Sequence, residues 1–136
     1  MPEAAKGVRA RPLSPHLQVW RWHITMACSI LHRVSIFAIY FGLLLLAGWT
    51  LSLAAGPQAY LTYGAVVGSP LGLLILFGIT VMLFYNLAYN IRQAFWDMGK
   101  GFALKTADAT GLACIVFGVV AAIVVWASLI LSGVFQ

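Results

Sequence analysis

The sequence predicts an all-α integral membrane protein with three transmembrane helices and its N-terminus on the inner side of the bilayer. Three observations carry that reading. Of the 136 residues, 62% are hydrophobic and only 8% charged, whereas a soluble domain holds roughly a quarter charged residues. The charges are gathered into two islands separated by long uncharged runs. The basic residues all lie before or at the start of the first run, or between the second and third.

Length limits the number of crossings, because an apolar helix needs about 20 residues to span a ~30 Å hydrocarbon core. Three crossings fit, and four would leave almost no loop. After three spans about 50 residues remain, too few for an independent soluble catalytic domain. The net charge of +5 would suggest nucleic-acid binding in a soluble protein. Here its placement reports orientation instead, and no nucleic-acid partner is expected. The two cysteines, Cys28 and Cys114, are far apart and form no CxxC pattern. Neither a disulfide framework nor a zinc or iron–sulfur site within this chain is expected.

Residues 1–28 form a mixed, Pro-punctuated segment in which Lys6, Arg9, Arg11 and Arg21 are opposed only by Glu3. No apolar stretch ending in small residues follows the first basic residues, so the segment does not read as a secretory signal. It is assigned to the inner side, and residues 29–136 to a three-helix membrane anchor.

Between Arg33 and Arg92 no residue is charged. Gly56-Pro57 and Gly68-Ser69-Pro70 break this run into a first span near 30–54 and a second near 70–91, joined by a short uncharged loop. Ser69 is the candidate N-cap of the second helix, with Pro70 in its first turn. A second polar island runs from Arg92 to Asp108, and the uncharged stretch beyond it gives a third span near 110–133. In that span Gly111, Gly118 and Ala122 permit close helix approach. The positive-inside rule puts both islands on the cytoplasmic or matrix side and the 55–69 loop outside. Trp20, Trp22, Trp49 and Trp96 fall near the span ends, as interfacial aromatics do.

Two sets of residues are unlike a lipid-facing helix. The first is Ser29-Ile30-Leu31-His32-Arg33, at the inner end of the first span. An arginine there can simply snorkel to the headgroups. Ser29 and Arg33 are also four residues apart on one helical face, with His32 at their flank. A hydroxyl, a fixed cation and a titratable imidazole suit a carbonyl ligand that gains negative charge and then protons, as a quinone does on reduction. The second set is Asn86, Asn90 and Gln93, spaced as a polar stripe on the second span beside Tyr89, Arg92 and Asp97. It reads either as interhelical hydrogen bonding or as the lining of a site. His16 and His23 lack ligand-spaced neighbours and read as surface residues. Met82 reads as a core methionine.

Arg11-Pro12-Leu13-Ser14-Pro15-His16-Leu17-Gln18-Val19-Trp20, then Ser29 to Arg33, then Ile91-Arg92 and Trp96-Asp97-Met98-Gly99 stand in that order around the first two spans. In this the chain resembles the cytochrome b (b556-type) membrane-anchor subunit of succinate dehydrogenase, over most of its length. The resemblance implies a subunit, not catalytic alone, of the succinate:quinone oxidoreductase of the respiratory chain and tricarboxylic acid cycle. It further implies a second three-helix anchor packed alongside, with flavoprotein and iron–sulfur subunits docked on the inner face and ubiquinone reduced near that face. FAD and iron–sulfur clusters are then confined to the partner subunits. It also implies quinone contacts at Ser29, Arg33 and the adjoining Ile30, and places His32 near the propionates of a haem b. Arg33 would stabilise negative charge on the quinone and Ser29 would orient its carbonyl. Asp97 and Arg92 remain open as either a salt bridge or a proton relay.

The second span departs from the family at the haem. The family pattern H-x-x-x-G-I-R-H-x-x-x-D reads here from Asn86 to Asp97, with Asn86 and Gln93 at the histidine positions and Asn90 at the glycine. A side-chain amide is a poor iron ligand beside imidazole. Three outcomes follow: no haem, a haem held by the partner alone, or an unusual ligand from this chain. Loss of the axial ligand at Asn86 is favoured, with Asn86, Asn90 and Gln93 hydrogen-bonding in a remodelled cavity.

The sequence admits two other functional readings. In one, the chain is a purely structural anchor whose partners build the quinone site. In the other, a small independent transporter, the spans would need buried charge or breaks near mid-bilayer, which they lack. Because the N-terminal segment contains Glu3 and runs straight into the anchor pattern, a bacterial cytoplasmic membrane is expected, with the mitochondrial inner membrane as the alternative.

Overall fold

The computed structural model describes residues 20–133. His16, Glu3 and most of the 1–28 segment, including the stretch from Arg11 to Val19, lie outside the described residues, as does the chain beyond 133. Four helices follow in order: α1 (Ile24–Ala55), α2 (Pro57–Val67), α3 (Pro70–Asp97) and α4 (Leu104–Leu131). Among the described residues there is no strand. The protein is all-α, and α1, α3 and α4 are each long and apolar enough to cross a membrane.

The helices outrun the expected spans. α1 begins at Ile24 rather than near 30, α3 runs to Asp97 rather than 91, and α4 starts at Leu104 rather than 110. Hydropathy marks only the part of a helix that lipid requires to be apolar. The 32 residues of α1 make about 48 Å of helix, so its polar first turns extend past a ~30 Å core.

The linker expected as a loop is a helix for most of its length. Gly56 closes α1 at φ 107°, a conformation that favours a residue without Cβ. Pro57 then opens α2 with its fixed backbone angle. A helix of 11 residues is marginal alone, and packing on α1 holds it. The Tyr63 ring lies over Gly48, and its hydroxyl donates to the Leu45 carbonyl. At the next turn Ser69 caps α3, its Oγ accepting from the Gly72 N–H at 3.2 Å, with Pro70 following it. At the other end of α3, the Lys100 N–H reaches the Phe95 carbonyl (3.0 Å) and the Gly99 N–H the Trp96 carbonyl (2.8 Å). This Schellman closure requires Gly99 at φ 76°.

α3 packs against both α1 and α4, and α1 also touches α4, so the spans form a three-helix bundle. Its interior is made from small residues. Ala107, Gly111, Cys114, Gly118 and Ala122 form one buried stripe along α4, which includes the three small residues picked out in the third span. A Cβ added at Gly118 would sit 2.9 Å from the Cβ of Tyr85 and 3.0 Å from its backbone. Deeper along the same pair, Trp126 Nε1 donates to Thr80 Oγ1 (3.2 Å) and its ring meets Phe77 edge-on. Both cysteines are buried and free. The large apolar residues Val34, Phe37, Phe41 and Leu44 face outward on α1, as suits lipid or a neighbouring helix.

Candidate functional site

One end of the bundle brings together the first turns of α1, the last turns of α3 and the first turns of α4. The base of this region is apolar except at defined points. Cys28 is wholly buried and Tyr85 is 2% exposed, and the Tyr85 hydroxyl donates to the Cys28 carbonyl at 2.7 Å.

From there a closed circuit of hydrogen bonds ties α1 to α3. Ser35 Oγ donates to the His32 carbonyl (2.7 Å) and accepts from Asn86 Nδ2 (2.9 Å). Asn86 Oδ1 accepts from Asn90 Nδ2 at 2.8 Å. Asn90 Oδ1 lies 3.4 Å from His32 Nε2, which returns the circuit to its starting residue. With that oxygen as acceptor, Nε2 carries the proton. The His32 ring is stacked on Tyr89, centroids 4.2 Å apart and planes inclined by 23°. Of the polar stripe, Asn86 and Asn90 therefore join α3 to α1. Gln93 does not take part: its Nε2 donates to Asp97 Oδ1 one turn on, at 3.2 Å. Ser35 was not singled out from the sequence, although it is a hydroxyl in an apolar run and shares a face with His32 at i+3.

Arg92 turns the other way. It is 5% exposed, its Nε donates to Thr110 Oγ1 and its Nη2 to the Ala107 carbonyl, each at 3.0 Å. Its guanidinium carbon lies 3.9 Å from the Trp96 centroid and 5.4 Å from that of Tyr89. Within the chain Arg92 and Asp97 take different partners, Arg92 on α4 and Asp97 from Gln93. Residues five apart on a helix do not share a face, and α4 offers Arg92 acceptors at the depth where it emerges.

Ser29, Ile30 and Arg33 occupy the other side of α1, away from the buried line of Cys28 and Ser35. Ser29 is half-buried, Ile30 and Arg33 exposed. Among the described residues neither Ser29 nor Arg33 has a hydrogen-bond or ion-pair partner. The uncharged run from Val34 to Ala55 is about 33 Å long as a helix, so Arg33 stands where the hydrocarbon would begin. A separate groove of about 490 Å³ opens between α3 and α4, walled by Phe95, Trp96 and Phe117 with Lys100 at its edge. Neither Ser29 nor Arg33 lines it.

The donor set does not suit an iron ligand at the amide stripe. Both polar atoms of Asn86 are engaged within the chain. His32 and His23 are the imidazoles among the described residues, and His23 is the residue before α1. No group of three or more His, Cys, Asp or Glu side chains is placed to hold a metal among the described residues.

Comparison with known proteins places these observations in context. The sequence pattern of the family described as succinate dehydrogenase/fumarate reductase transmembrane subunit matches residues 8–125. The chain is 36% identical over 113 residues to the succinate dehydrogenase cytochrome b556 subunit of Paracoccus denitrificans, covering 83% of this chain and 87% of that one. It is 33% identical over 116 residues to the subunit of the same name from Rickettsia felis, covering 85% and 90%. To the mitochondrial cytochrome b560 subunit of Mus musculus it is 34% identical over 113 residues, covering 80% and 66%.

Proposed function

Because the chain belongs to the succinate dehydrogenase/fumarate reductase transmembrane subunit family, as a cytochrome b-type anchor of complex II, we propose that it fastens the dehydrogenase to the membrane and supplies part of a ubiquinone-reduction site at Ser29, Ile30 and Arg33. The partners in this reading are a flavoprotein subunit carrying FAD, an iron–sulfur subunit, and a second three-helix anchor against the outward face of α1. The N-terminal segment and the α3–α4 turn lie on the docking side, by the positive-inside rule, in a bacterial cytoplasmic membrane or its mitochondrial counterpart.

The observation that carries the quinone assignment is the exposed guanidinium of Arg33. It lies one turn from Ser29 and at the start of the apolar run, without an internal partner among the described residues. The overall reaction moves two electrons and two protons from succinate to a quinone, giving fumarate and quinol. The electrons arrive from the iron–sulfur subunit. As they do, negative charge grows on the quinone oxygens, and a fixed cation at the membrane edge stabilises that charge more than it stabilises the neutral ring. Ser29 Oγ–H donates to a quinone carbonyl and orients it, and Ile30 packs against the ring. Protons enter from the aqueous side, which Arg33 borders.

Replacing Arg33 with Leu tests this directly. Succinate:quinone reductase activity is lost, while reduction of an artificial dye by the docked soluble subunits persists. Unchanged quinone reduction would instead favour a purely structural anchor. That second reading has one observation in its favour: the circuit around Asn86 and the contacts of Arg92 are internal to the chain and serve packing.

A further inference from the structure

We propose that this chain donates no axial ligand to a haem, and that the Ser35–Asn86–Asn90–His32 circuit serves in that place as a hydrogen-bonded clasp between α1 and α3. The inference rests on the family reading above, since the relatives are named as cytochromes b. A b-type haem in a helical bundle is held by side chains that can lend a lone pair to iron, imidazole foremost. α3 contains no histidine.

The side chain at the decisive position is already committed. Asn86 Nδ2 donates to Ser35 and Asn86 Oδ1 accepts from Asn90. Ligation through its oxygen would compete with the bond from Asn90 at an amide carbonyl, a far weaker iron ligand than imidazole. Ser35 is fully buried, so its hydroxyl has no solvent to turn to if Asn86 leaves. His32 is the nearest imidazole, but it is stacked on Tyr89 and closes the circuit through Nε2. The group that would face a cofactor instead links helices. Metal coordination and this clasp do the same mechanical task, which is to join transmembrane helices at one depth, and the chain carries the second.

The test uses the whole complex, purified through a tag on this chain, with haem measured as the pyridine haemochrome and flavin measured in the same sample. Co-purification of flavin tests the family reading by itself. The haem-to-flavin ratio and the dithionite-reduced spectrum are then compared among the native complex, Asn86→Leu and His32→Ala. Asn86→Leu keeps the branched shape and the number of heavy atoms, and Asn86→Gln replaces it if the first variant fails to assemble. The expected result is either no haem, or a haem present in the same amount in all three, together with a lower melting temperature for the Asn86 variant. A haem near one per flavin that is lost in either variant while flavin still co-purifies overturns the proposal, and an unchanged melting temperature overturns the clasp.

Discussion

The guanidinium of Arg92 lies over the ring of Trp96, its central carbon 3.9 Å from the ring centroid, while two of its nitrogens bind α4. A charge that hydropathy would place in a loop is thus a tie between two spans. Arg92→Ala removes two charged hydrogen bonds and a cation–π contact, and is expected to destabilise the bundle by about 2 kcal/mol. Arg92→Lys retains the charge without the planar fork and should recover only part of that loss. Thermal unfolding of the purified complex measures both.

Gly118 supports a second prediction. An added methyl would meet Tyr85 at 2.9 Å, with its backbone close behind, so Gly118→Ala must push α3 away from α4. A loss of about 1–3 kcal/mol is expected, as for overpacking elsewhere. Gly64 in α2 is the control: nothing lies within 4 Å of a Cβ there, and Gly64→Ala should be neutral or stabilising by up to about 1 kcal/mol. Equal effects at the two sites would show that close approach is not what Gly118 provides.

At the proposed quinone site, a graded series separates charge from geometry. Ser29→Ala would remove the proposed hydrogen bond to the quinone carbonyl and is expected to lower kcat/KM for quinone by about tenfold. Arg33→Lys should retain more activity than Arg33→Leu, because the cation survives. Dye-linked succinate oxidation serves as the internal reference, and a matching fall in both assays would trace the defect to docking instead.

The turn between α2 and α3 gives a purely structural prediction. Ser69→Ala deprives the Gly72 N–H of its cap and should cost about 1 kcal/mol. The same substitution leaves quinone reduction unchanged, since Ser69 lies at the opposite end of the bundle from Arg33.

Much of the fold is legible in the sequence because lipid imposes a simple rule on composition. The three spans, Ser69 with Pro70, and the small residues of α4 can all be read from residue types and spacing. α2 cannot, because Gly56-Pro57 and Gly68-Ser69 delimit a loop and a short helix equally well, and what decides is the packing of Tyr63 on Gly48. The polar stripe is visible as a stripe, but its partners are not. Asn86 and Asn90 find Ser35 and His32 on another helix, whereas Gln93 stays on its own with Asp97. Likewise the depth at which Arg92 meets Thr110 depends on how α3 and α4 are stacked, which no local pattern encodes.

The circuit around Asn86 has a consequence for how high each residue stands in the membrane. The α3–α4 seam is pinned by Arg92 on Thr110 and Ala107 and by Trp126 on Thr80, and the α1–α3 seam by the Asn86–Ser35 and Asn90–His32 bonds. A slip of α1 along α3 by one helical turn would break those last two pairings together, so they index one helix against the other. The height of Arg33 relative to the α3–α4 turn is therefore set through Ser35 and His32 of its own helix and Asn86 and Asn90 of α3.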